Sequence, residues 1–195
     1  MLSDVSTETL PSDDLPRRRF TVDEVNQMVE QGILGEDEHV ELLDGELVVM
    51  TPQGPPHAAH LTDLHQRLAD AYRGAAHIRS QVPLVNRPYN MPEPDTAVIR
   101  GRPLDYKERH PTGADAILVV EIARTSQRID RRKAGIYASA GVPTYWLIDL
   151  AKRRVEVFSE PSRQGAYARH LSLAVGQEVQ LPDLDVRWPV SDLVS

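Results

Sequence analysis

The stretch Ala116-Ile-Leu-Val-Val-Glu-Ile122 decides the fold. Apart from Glu121 it is an unbroken apolar run rich in branched residues, far too short to cross a bilayer. Such a run reads as a strand buried on both faces. Downstream, the spacing predicts a helix over residues 127–140, with Gly141 as its stop and Pro143 beyond, then strands over 144–150 and 154–159. Upstream, strands are expected over 78–86 and 96–99, separated by a link carrying Pro88, Pro92 and Pro94. Leu61, Leu64, Leu68 and Ala71 recur at helical spacing within 57–72, and Gly74 closes that segment. Before it, Asp44-Gly45 joins two apolar runs, 40–43 and 47–50, as a hairpin. Thr21-Val-Asp-Glu24 is a capping box opening a short helix. Residues 1–19 hold almost nothing to bury and read as a disordered tail; residues 167–190 read as short strands and turns. Strands mixed with a few helices in irregular order give a single α/β domain over 20–195, built on a mixed sheet flanked by helices.

Composition narrows the function. The chain has 195 residues, 41% hydrophobic and 26% charged, the balance of an ordinary globular domain. The absence of cysteine removes disulfides, thiolate metal sites and a cysteine nucleophile. A polar, acidic N-terminus without a signal-peptide core points to the cytoplasm, with no membrane association. A net charge of -7 opposes non-specific coating of nucleic acid but leaves room for a local basic patch. Aromatics at 5% give poor support to a stacking platform for single strands.

Three side chains carry the chemistry. Glu121 sits among apolar neighbours, where an isolated carboxylate costs several kcal/mol unless it is paired or bound to a metal. Asp95 opens the apolar stretch 96–99. If these two strands pair antiparallel, Asp95 and Glu121 converge at one end of the sheet as a hard oxygen site suited to Mg2+. A turn-opening Asp is the plain alternative. On the following helix Asp130, Lys133 and Tyr137 share one face; Lys133 either meets Glu121 or snorkels beside Asp130. Arg124, Arg128, Arg131 and Arg132 crowd the same segment, a local site for a polyanion that the basic loop 100–113 extends. His57 and His60 lie one helical turn apart, but without a third ligand they make a weak metal pair. His57 is as ready to cap its helix as to touch a phosphate. Tyr137, Trp146 and Asp149 read first as structural residues.

Glu41-Leu-Leu-Asp-Gly-Glu46, Thr51-Pro-Gln-Gly-Pro-Pro-His57, Pro94-Asp95, Val120-Glu-Ile-Ala-Arg-Thr-Ser126, Asp130-Arg-Arg-Lys133, Tyr137-Ala-Ser-Ala-Gly-Val142 and Tyr145-Trp-Leu-Ile-Asp149 together resemble the Uma-two family, from about residue 20 to about residue 190. The resemblance implies a restriction-endonuclease-like PD-(D/E)XK core: a metal-dependent DNA endonuclease in which Asp95 and Glu121 hold Mg2+ or Mn2+. Glu41 is then the N-terminal acid, and Lys133 orients the attacking water. In this sequence the usual Glu-x-Lys position is Ala123, so the lysine is displaced onto the next helix. DNA is the expected partner, with His57, Arg124, Arg128, Arg131 and Arg132 as contacts, and a homodimer would serve symmetric duplex cleavage. The alternative is a catalytically silent nuclease fold that binds nucleic acid or a protein partner.

Overall fold

The computed structural model describes residues 17–35, 38–123 and 127–195. Thr21 caps α1 (Val22–Glu30): its hydroxyl accepts from the Glu24 backbone, and the Glu24 carboxylate accepts from the Thr21 backbone. β1 (Val40–Leu43) and β2 (Glu46–Val49) form the expected hairpin, with Asp44 and Gly45 both at positive φ as a two-residue turn of this hand requires. α2 spans Pro55–Ala71 and buries Leu61, Leu64 and Leu68.

A six-stranded sheet forms the centre, in the order β3 (Ala76–Arg79), β4 (Thr96–Arg100), β5 (Ala116–Ala123), β6 (Thr144–Asp149), β7 (Arg154–Ser162), β8 (Ala166–Ala174). Neighbours are antiparallel except β5 and β6, whose parallel pairing is bridged by α3 (Gln127–Ser139). β9 (Glu178–Gln180) and β10 (Arg187–Pro189) make a separate small pair.

The sheet is buried on both faces, as the run at 116–122 demands. Val120 and Ile122 of β5, with Trp146 and Ile148 of β6, pack against α2 and the C-terminal segment. Val119 and Ala123, with Tyr145 and Leu147, pack against Tyr137 of α3. Alternation along β5 therefore directs Glu121 to the α3 face. α3 ends as its sequence foretells: Gly141 takes positive φ and the Val142 N–H returns to the Tyr137 carbonyl.

Three expectations need correction. The strand expected over 78–86 stops at Arg79; Gln81 adopts positive φ, and Val85 and Asn86 make only isolated bridges. β8 is a nine-residue strand, where the sequence suggested short pieces; as an exposed sheet edge it carries no long apolar pattern. Most of the tail, residues 1–16, lies outside the described residues, but its last three residues are tied down. Arg17 and Arg18 pair with Glu46 and Glu24, and Arg19 lies over the Tyr89 ring while donating to the Asp44 carbonyl. No described helix is long and apolar enough to cross a membrane.

Candidate active site

Antiparallel pairing of β4 and β5 sets Thr96 opposite Val120, so Asp95 arrives beside Glu121. The Asp95 backbone N–H donates to Glu121 Oε2 at 3.3 Å. The other oxygen, Glu121 Oε1, accepts from the Lys133 ammonium at 3.0 Å and from the Tyr137 hydroxyl at 2.7 Å. Lys133 and Tyr137 reach the same atom because they lie four residues apart on the buried face of α3. The ammonium also donates to Glu41 Oε1 at 2.9 Å, which draws the β1 hairpin into the cluster. Glu41, Asp95, Glu121 and Lys133 thus meet at one end of the sheet, all buried. Lys133 bridges Glu41 and Glu121; its hydrogen bonds do not extend to Asp95.

Asp95 has its own partners. Its Oδ2 accepts from the Ile122 backbone N–H at 2.7 Å and faces His57 Nε2 at 3.1 Å; its Oδ1 accepts from the Gln53 amide at 2.9 Å. The N-terminal turn of α2 and the loop before it therefore hold Asp95, while α3 holds Glu121.

The charges follow from this wiring. Burial pushes the Glu121 carboxyl up to about 8; Lys133 opposes that, and the neighbouring Asp95 and Glu41 carboxylates reinforce it. Glu41 is raised for the same reason, burial outweighing the pull of Lys133. Burial alone would lower the Lys133 pKa, but Glu121 and Glu41 more than offset it and keep the ammonium charged. Asp95 shows the reverse balance: burial raises it, yet His57, the Ile122 N–H and Gln53 together bring it below its ordinary value.

Two buried acids thus share one ammonium with a third nearby, and burial, reinforced at Glu121 by the neighbouring carboxylates, raises the pKa of both acids that share it. Among the described residues no three acidic or histidine side chains stand together at cation-binding spacing. The donor chemistry nevertheless fits a Mg2+-like ion, which takes one or two carboxylates and keeps water for the rest. Asp95 and Glu121 supply hard oxygens, and Glu41 Oε2 is buried with no hydrogen-bond partner.

The expected DNA contacts are distributed differently. Arg132 is bound within the protein, to Asp44 at 2.9 Å, Glu46 at 3.1 Å and the Leu43 carbonyl, so it fastens the hairpin to α3 and is removed from the list of free cations. His57 is buried against Asp95 rather than capping α2 or facing solvent. Arg124 lies outside the described residues, as do the side chains of Arg128, Arg131 and Asp130. Asp149 accepts from the Lys152 backbone in the turn after β6, and Trp146 is buried in the core.

Four participants escape a reading of the sequence in this role. Gln53 and His57 meet Asp95 only because α2 packs against the sheet. Tyr137 reads as core, which it is, with its hydroxyl as the exception. Glu93, half-buried and raised by desolvation, adds a further carboxylate near Lys133. A signal for it was present two residues before Asp95, in Glu93-Pro94-Asp95.

Comparison with known proteins agrees with this architecture. A solved structure from Anabaena variabilis, titled as that of "a putative nuclease", superposes with a TM-score of 0.73 at 18% identity, covering 90% of this chain and 97% of that one. The type IIG restriction endonuclease BpuSI aligns over 59% of this chain and 12% of its own, at 17% identity and a TM-score of 0.39. Comparison with the curated proteins gives no match. The first likeness establishes the restriction-endonuclease-like fold. The Uma2 (Uma-two) family model, described as "Putative restriction endonuclease", matches residues 22–191, and the chain belongs to that family.

Proposed function

We propose that this protein is a divalent-metal-dependent endonuclease that hydrolyses DNA phosphodiester bonds. The observation that carries the proposal is the Lys133 ammonium held between Glu41 and Glu121 at 2.9 and 3.0 Å, beside Asp95. Asp95 and Glu121 are the metal ligands, and Glu41 is the additional acid. A Mg2+ or Mn2+ ion bound there would supply a Lewis acid for the phosphate and acidify a bound water. Lys133 presents a fixed positive charge and a donor to the attacking water, a task that depends on where the ammonium lies and not on which element bears it. That is why Ala123 can replace the usual lysine: it packs in the core under α3 while Lys133 enters from the helix above. Tyr137 holds Glu121 Oε1, and His57 with Gln53 holds Asp95, so both ligands are oriented by neighbours. Cutting both strands needs two such sites, for which a homodimer is the simplest arrangement.

The test is nicking of supercoiled plasmid by the full chain with Mg2+ or Mn2+, with and without chelator, beside Glu121→Gln and Lys133→Ala. Metal-dependent nicking that both variants lose is expected. An inert wild type under both metals would favour a second reading, a silent nuclease fold acting by binding alone. Burial speaks for that alternative: Glu41, Asp95, Glu121 and Lys133 are only 3, 6, 4 and 2% exposed.

A further inference from the structure

The six-stranded sheet contains four arginines, and three have a carboxylate: Arg100 pairs with Asp183, Arg154 with Glu156, and Arg169 with Glu160. Arg79, the last residue of β3, has none among the described residues. Its only side-chain hydrogen-bond partner there is another basic residue, His110, whose Nδ1 accepts from the guanidinium at 3.4 Å, while the nearby Tyr106 adds a favourable electrostatic contact but no full charge at neutral pH. The three acids of the adjoining loop are already engaged. Asp115 is held by both guanidinium nitrogens of Arg109, Asp105 by Arg102, and Glu108 by Lys107. Arg79 is half-buried, and burial holds its pKa below the ordinary value, so the charge is only partly relieved by water. A partly desolvated guanidinium without an anion is a group whose counter-ion is missing.

Its place in the sheet says where that anion would be. Arg79 lies opposite Ala97, which pairs with Val119, so it projects from the face that carries Glu121. Relative to Asp95 it is displaced by one strand and two residues, about 5 Å across the sheet and about 7 Å along it. That offset is on the scale of the step between neighbouring phosphates in a nucleic-acid strand.

Resting on the nuclease reading above, we propose that Arg79 binds a backbone phosphate of the DNA strand flanking the scissile one, with His110 orienting its guanidinium. A phosphate offers two oxygens to the planar fork, the geometry an arginine matches best. A contact of this kind positions the strand without reading its sequence.

The test uses the full chain and a short fluorescein-labelled duplex, with Ca2+ replacing Mg2+ to hold back cleavage. Anisotropy is followed across a salt series for the wild type, Arg79→Gln and Arg79→Lys. Loss of one phosphate contact should flatten the slope of log Kd against log salt by about 0.9 in Arg79→Gln. Arg79→Lys should keep most of the slope, and thermal unfolding of both variants should match the wild type. An unchanged slope in Arg79→Gln overturns the inference while leaving the nuclease reading intact. If Arg79→Gln unfolds, the lysine variant decides: retained slope supports the contact, and wild-type affinity lost along with stability overturns it. A wild type that binds no duplex at low salt overturns the inference together with the reading beneath it.

Discussion

Replacing Lys133 with Met removes one ammonium and keeps most of its volume. In the native protein that ammonium is the shared partner of Glu41 and Glu121, and all three side chains are 3–5% exposed. Removing one member of such a network leaves carboxylates buried without compensation, at a cost of roughly 3–5 kcal/mol. The loss depends on pH, because the protein can limit it by taking up protons. In the unfolded chain both carboxyls titrate near the ordinary glutamate value, whereas the fold already pushes Glu121 up to about 8 and raises Glu41. Without Lys133 both shift further up. The folded variant then holds protons that the unfolded chain has released, so its stability falls as pH rises, by about 1.4 kcal/mol per pH unit for each such proton. The deficit relative to wild type should be small while both proteins hold the Glu121 proton, grow as pH rises through about 8, where the wild type releases it and the variant does not, and approach roughly 3–5 kcal/mol by about pH 10. Urea unfolding in chelator at a series of pH values measures it directly. Adding Glu121→Gln to Lys133→Met should recover part of the loss at high pH. A deficit equal at pH 6 and pH 10 would refute the charge argument, and one under about 1 kcal/mol at pH 10 would mean that the bridge does not form in solution.

Tyr137→Phe keeps the ring against Tyr145 but removes the donor to Glu121 Oε1; calorimetry should show Mn2+ binding weakened by about 10–100-fold, with the apo unfolding midpoint little changed. Gly113→Ala should destabilise the protein by roughly 1–3 kcal/mol or more, because the new methyl would stand 2.2 Å from the Ala140 carbonyl oxygen; wild-type stability in urea would show that the 113–115 turn can move away from α3.

How much of the site could be read from sequence depends on the range over which each contact is specified. The β5 run and the placement of Glu121 follow from patterns a few residues long; the approach of Asp95 needed the further assumption that β4 and β5 pair antiparallel, which they do. Lys133 was legible for a similar reason: helical periodicity puts it on the face of Tyr137, which packs on the sheet. Periodicity is silent about what lies across a helix surface. Arg132 is one residue from Lys133, yet it meets Asp44 and Glu46 because the β1–β2 hairpin folds over that side of α3. The partners of Asp95 were hidden still more deeply, since Gln53 and His57 belong to a segment about forty residues away whose helix packs through leucines on the opposite face of the sheet. The two carboxylates of the proposed metal site are therefore supported from different sides, Glu121 by α3 and Asp95 by the entrance to α2. A shift of either helix against the sheet would move one carboxylate relative to the other, so the packing of both helical layers sets the geometry on which any shared cation depends.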